Sequence, residues 1–300
     1  MSDASLGDLM KRPGLLAVTV LLLVAGSAPT SAQIATRECD APKPGWIWCD
    51  DFEQDRLGSY FEYQAQGGDF VRLAGVGKDG STGMRARFSR AGQVEGGYLH
   101  LAFGKTPTAY FRPVDAGTAN YREIFWRHLV RLEAGWTGAG GNKLSRAQTI
   151  VTGDWAQAVM AHVWSGIISG QEPYRLGIAP ASGTDEAGRV RTTSYNDFPN
   201  FRWLGVAWSR TPIFDRMHVG RWYCIEAHAR VNDPGRANGV FELWIDDRLE
   251  ARIDGLNWQG EYGDYGINTV FLENYWNDGA PKPQERYFDN FVVSTQRIGC

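Results

Sequence analysis

The chain has 300 residues, of which 43% are hydrophobic, and a formal net charge of -3. That balance is the balance of an ordinary globular domain. It excludes a binder of nucleic acid or any other polyanion that relies on bulk positive charge. Gly (36), Trp (12) and Tyr (12) are the prominent counts; glycine serves turns, and aromatics in such number fill a core or form stacking platforms.

At the N-terminus, Lys11 and Arg12 precede an apolar run from Leu15 to Ala25, and Thr30-Ser31-Ala32 supplies the small-x-small pattern of a cleavage site. The run is shorter than the ~20 residues of a spanning helix. Residues 1–32 are therefore expected to be a signal peptide, cleaved after Ala32, with Met10 as an alternative start and a retained anchor as the alternative to cleavage. The mature chain is expected outside the cell or in a periplasm, with no membrane contact after cleavage. Cys39, Cys49, Cys224 and Cys300 all follow that point. In an oxidising compartment four cysteines suggest two disulfides, with three possible pairings. We favour Cys39–Cys49, a local loop around Pro42 and Pro44, and hence Cys224–Cys300. No Cys or His spacing suits zinc.

Residues 33–300 contain no linker or repeat and are read as a single domain. Its hydrophobic period is two. Leu99, Leu101 and Phe103 share one face of a strand. Further along, Val159, Ala161 and Val163 alternate with Met160, His162 and Trp164. Tyr223, Ile225, Ala227, Ala229 and Val231 repeat the pattern, as do Phe241, Leu243 and Ile245. Such alternation marks half-buried strands. Turns fall at Lys78-Asp79-Gly80, Asn232-Asp233-Pro234-Gly235, Asn238-Gly239 and Asn277-Asp278-Gly279. A short helical turn is expected near Pro212–Met217. Many strands without covering helices predict an all-β fold, an antiparallel β-sandwich of jelly-roll form with one sheet shaping a groove. We expect a monomer.

Three stretches carry a family resemblance: Trp48-Cys49-Asp50-Asp51-Phe52-Glu53; Glu123 to Arg131 followed by Gly140-Gly141-Asn142-Lys143-Leu144; and Asn238 to Asp247 with Arg286 to Ser294. Together they resemble the concanavalin-A-like jelly rolls of secreted polysaccharide lyases, the alginate and glucuronan lyase-like group. The resemblance implies an anionic, uronate-containing polysaccharide as partner and cleavage by β-elimination. That chemistry needs cations or donors on the uronate carboxylate, a base for the α proton and an acid for the leaving oxygen. Lys143 matches the lysine of the family's Gly-Lys-Leu stretch, although Asn142 interrupts the Gly-Lys pair here.

Further candidates follow from strand parity. Arg127 projects away from Ile124, Trp126 and His128, and in a groove it would clamp a carboxylate; His128 itself is read as core. His162 is a candidate base or neutraliser, with Trp164 as a sugar platform and Gln148 in the neutralising set. Tyr275 is a candidate proton donor, and Asn274 a carboxylate ligand. No cofactor is expected for catalysis. Glu53 and Asp289, in the opening and closing strands, are candidate ligands of a structural Ca²⁺. Two alternatives share the fold: a non-catalytic carbohydrate-binding protein, and a glycoside hydrolase using Glu226 and Glu273 as paired carboxylates.

Overall fold

Alternating side chains leave this chain one economical arrangement, two sheets that bury their apolar faces against each other. The computed structural model describes residues 37–138, 140–166, 174–214 and 216–300; the expected signal peptide lies outside them. The strands in chain order are β1 (Trp46–Asp50), β2 (Glu62–Gln64), β3 (Phe70–Leu73), β4 (Gly83–Phe88), β5 (Glu95–Ala102), β6 (Glu123–Leu132), β7 (Asn142–Ile150) and β8 (Gln157–Gly166). They continue as β9 (Arg175–Ser182), β10 (Arg202–Trp203), β11 (Ala207–Pro212), β12 (Trp222–Arg230), β13 (Gly239–Ile245), β14 (Arg248–Leu256), β15 (Thr269–Tyr275) and β16 (Gln284–Ser294).

One sheet runs β14-β13-β12-β6-β16-β4-β3, with β1 also paired to β16; the other runs β10-β9-β8-β7-β15-β5-β2, with β11 also paired to β9. All pairings are antiparallel. The opening strand β1 thus lies against the closing strand β16, and the expected jelly-roll sandwich is the observed fold.

The apolar faces read from the sequence meet between the sheets. Leu99, Leu101 and Phe103 pack in the same core as Val159, Ala161, Val163, Ile225, Ala227, Phe241 and Leu243. Each of these side chains larger than alanine contributes about 1.5–3 kcal/mol on burial. Both expected disulfides are formed, Cys39–Cys49 and Cys224–Cys300. They fasten the N- and C-terminal segments over the outer face of the first sheet. The helical turn expected near Pro212–Met217 is not formed among the described residues. Ile213 and Phe214 instead enter the core, where apolar burial outweighs local helix geometry.

Candidate active site

On its outer face the second sheet carries a row of side chains in register across five strands. Glu62 of β2 pairs with His100 of β5, His100 with Phe271 of β15, Phe271 with Arg146 of β7, and Arg146 with His162 of β8. At the usual strand spacing the row is roughly 20 Å long. Two positions along each strand, the same face adds Tyr98, Glu273 and Trp164. The loop carrying Tyr195, Asn196 and Phe198, with Trp203 of β10, forms one wall. All of these side chains except Phe271 line a cavity of about 720 Å³ that also takes in Lys143 and Tyr275.

Lys143 reaches this face because β7 is irregular. Its register against β8 shifts between Lys143 and Ser145. Leu144 packs in the core, and Ser145 also faces inward, accepting a hydrogen bond from Trp126 Nε1 at 3.0 Å. Two consecutive inward residues are a β-bulge, which reverses the parity of everything before it. Without it Lys143 would point into the sandwich. With it, the Lys143 ammonium lies 4.3 Å from the centre of the Tyr275 ring.

The charges of the groove are unequal in freedom. Arg146 donates to Glu273 Oε1 at 2.7 Å, to Asn196 Oδ1 at 2.8 Å and to the Tyr195 hydroxyl. Glu62 faces His100 Nδ1 at 2.9 Å and accepts from the Tyr110 hydroxyl at 2.5 Å. Burial works against its charge, yet those two bonds hold Glu62 below the usual glutamate range. Burial pushes Glu95 up to about 7, against its hydrogen bond from the Gly97 N–H, and Glu273 adds to the rise. Burial also lowers Lys143, with Arg146 pushing the same way while Glu273 and Glu95 oppose. His162 is driven well below its ordinary value by burial, then by Arg146 and Lys143, so its imidazole is neutral at physiological pH. Its ring stacks on Trp164, 10° from parallel with centroids 5.5 Å apart.

Lys143, His162, Trp164 and Tyr275 therefore converge on one groove. Other candidates lie elsewhere. Arg127 does project from the outer face of its strand, but that strand belongs to the opposite sheet. It is buried in an ion pair with Glu38 and donates to Gly299 O at 3.0 Å. Asn274 points between the sheets, since β15 sends Val270, Leu272 and Asn274 inward and Phe271 and Glu273 to the groove; its amide donates to Gly97 O at 2.9 Å. Gln148 lies on the groove face yet is fully buried beneath the wall. It accepts from Gln157, whose Oε1 accepts from Asn196 N at 2.8 Å, so it props up a wall and does not line the cavity. His128 is core as expected, with burial taking it down to about 3.

The carboxylate pair of the hydrolase alternative is separated by the fold. Glu273 lies in the groove, whereas Glu226 is buried on the outer face of the other sheet, accepting from Ile298 N at 2.7 Å and Gly299 N at 3.0 Å. Glu53 and Asp289 do lie near each other, and Glu53 contributes to raising Asp289 to about 7, after burial as the main cause. Their oxygens, however, accept from hydrogen-bond donors: Glu53 from Thr82 N at 2.7 Å, and Asp289 from Lys78 N at 2.7 Å and Ser81 Oγ at 3.0 Å. Donors of this kind clamp the Lys78–Gly80 turn. No group of three or more His, Cys, Asp or Glu among the described residues could hold a metal ion.

Several groove residues escaped the sequence reading. Tyr98 and His100 sit opposite the apolar set Leu99, Leu101 and Phe103, so strand parity alone marks them as outward. Arg146 had the same signal in weaker form, and Glu273 was singled out only as a hydrolase carboxylate. Arg146 is three residues beyond Lys143, which by simple alternation would put the two on opposite faces; only the bulge reunites them. Tyr195, Phe198 and Trp203 come from an irregular segment whose return over the sheet has no local sequence mark.

No protein-family model matches the chain, and no curated protein does. Solved structures do. An alginate lyase of Aplysia kurodai superposes with a TM-score of 0.57 at 11% identity, over 84% of this chain and 99% of that one. The endo-β-1,4-glucuronan lyase of Trichoderma reesei gives 0.56 at 11%, over 84% and 96%. The alginate lyase vAL-1 of a Chlorella virus gives 0.55 at 15%, over 80% and 94%. At such identities the likeness is one of architecture, and the chain has the jelly-roll fold of these polysaccharide lyases.

Proposed function

We propose that the protein is a secreted lyase that binds a uronate-containing polysaccharide in this groove and cleaves it by β-elimination. The observation that carries the proposal is Lys143: a largely buried cation that makes no ion pair among the described residues, set over Tyr275 and beside neutral His162 and the Trp164 platform. Of the acids around it, Glu273 is paired with Arg146, Glu95 stays protonated up to about pH 7, and the ionised Glu62 sits on β2 at the far end of the row, held by His100 and Tyr110. The groove can thus accept an anionic chain. The likeness of fold to alginate and glucuronan lyases supports the same substrate class.

In this mechanism the uronate carboxylate faces the His162 N–H and the positive field of Arg146, which acidifies the proton on the adjacent carbon, C5. Lys143 takes that proton in its neutral amine form, which burial favours over the ammonium. The C5–H electron pair becomes the C4=C5 double bond, and the bond from C4 to the glycosidic oxygen breaks. The Tyr275 hydroxyl protonates the departing oxygen. The proton on Lys143 can then return to the Tyr275 phenolate, resetting both groups.

Incubation with alginate, glucuronan, pectate and glycosaminoglycans, followed by the ultraviolet absorbance of the unsaturated product, tests the proposal. Absorbance should rise on at least one polymer and vanish in Lys143→Ala. New reducing ends without absorbance point to hydrolysis. Retention on an immobilised polysaccharide with neither signal points to a binding protein.

A further inference from the structure

Arg286 enters from the wrong side. It belongs to β16 in the sheet that has no groove, and its side chain crosses the core to reach the back of the groove sheet. It is fully buried, yet among the described residues no carboxylate is hydrogen-bonded to it. Its guanidinium instead donates to four oxygens of the groove sheet: Asn274 Oδ1 at 2.7 Å, Asn142 Oδ1 at 2.7 Å, Lys143 O at 2.8 Å and Glu273 O at 2.5 Å. Phe288, Phe214 and Phe88 surround the charge, with ring centres 5.3, 5.8 and 6.0 Å from the guanidinium carbon. Burying an arginine without a directly bonded carboxylate is costly, and burial has brought its pKa down to about 9 against the opposing fields of Glu273 and Glu95. An apolar residue would fill the core at less cost, so the cost calls for a role.

The acceptors identify that role. Lys143 O belongs to the bulge of β7 that turns the Lys143 side chain into the groove. Glu273 O and Asn274 sit where β15 loses register with β5, between Glu273 and Tyr275. There β5 is itself bulged at Gly96-Gly97. Gly97 has φ +92°, and a Cβ on it would lie 2.3 Å from Phe70 Cβ. Asn274 bridges the two, accepting from Arg286 and donating to Gly97 O at 2.9 Å. One planar donor fork thus holds the β7 bulge that turns Lys143 into the groove and the β15 backbone on the N-terminal side of Tyr275. Asn142, which breaks the family's Gly-Lys pair, gains a purpose as one of its acceptors.

We propose that Arg286 is the positioning residue of this site, fixing from behind the sheet the β7 bulge that presents Lys143 and the β15 backbone that leads into Tyr275. The turnover consequence rests on the lyase function proposed above; the geometric one does not. A lysine at this position carries the charge but not the fork.

The test is Arg286→Lys, with thermal unfolding as a control for folding. On a cleaved polymer, kcat should fall roughly 100-fold, the loss typical of an ångström-scale misplacement, with KM changed only slightly. A second readout is independent of activity: acylation of lysine amines across a pH series, followed by peptide mass spectrometry. In the wild type Lys143 should react at lower pH than exposed Lys43, and in Arg286→Lys that difference should shrink. If Arg286→Lys does not fold, Asn142→Ala removes one acceptor and is scored in the same way. Unchanged kcat together with an unchanged Lys143 profile, whatever happens to stability, overturns the proposal. If the wild type cleaves no uronate polymer, the lyase proposal fails by itself and the labelling profile alone decides on Arg286.

Discussion

Lys143 of β7 and Tyr275 of β15 meet with the ammonium 4.3 Å from the ring centre, although a continuous strand would have sent that lysine into the core. The contact keeps a cation over an aromatic face, worth about 0.5–2 kcal/mol. It also leaves the Tyr275 hydroxyl beside the groove, as a proton donor to the leaving oxygen requires. Tyr275→Phe separates these two uses. It should preserve the fold and the position of Lys143 but lower kcat about 10²–10⁴-fold, the range for loss of a general acid. Single-turnover absorbance traces check this, and a Phe variant as fast as wild type removes Tyr275 from the mechanism.

Glu95 provides a pH signature. Its carboxyl shifts from 4.5 to about 7 on folding, so the folded state holds a proton that the unfolded state gives up. The stability this group supplies is complete below about pH 4.5 and is lost as pH rises through about 7. The buried histidines act in the opposite sense, so the comparison must be with a variant. Glu95→Gln cannot ionise, and its stability relative to wild type should climb across that window. Denaturant midpoints measured between pH 4 and 8 give the difference directly; a flat difference rules the shift out.

Arg127 should matter to stability alone. It and Glu38 form a buried ion pair beneath the terminal segments, and removing one partner of such a pair costs about 3–5 kcal/mol. Arg127→Ala is expected to lower the unfolding midpoint strongly while leaving turnover per folded molecule unchanged. Loss of turnover without loss of stability is the contrary result.

Trp203 is 47% exposed at the groove wall, beside Phe198 with ring planes 14° apart. Such a surface suits the C–H face of a sugar distant from the reacting bond. Trp203→Ala should raise KM for long chains several-fold, about 1 kcal/mol of binding, with kcat nearly intact. Equal KM values for the two proteins place the sugar chain elsewhere.

The sequence by itself determined the sandwich and most of its strands, because period-two apolar faces define strands by a local rule. Of the three disulfide pairings it allowed, it favoured the one that formed. It also singled out Lys143, His162, Trp164 and Tyr275. It could not assign strands to sheets, and that decided the fate of Arg127 and Glu226; Asn274 lies in the groove sheet but faces the core by strand alternation. Arg127 and Glu226 were read to the correct outer face, but their sheet is the one sealed by the terminal segments. Parity also fails wherever a strand bulges, since one extra residue exchanges the faces of all that precede it. Whether Lys143 is a groove residue was therefore settled at the back of the sheet, by hydrogen bonds from Arg286, a residue 143 positions away in the chain.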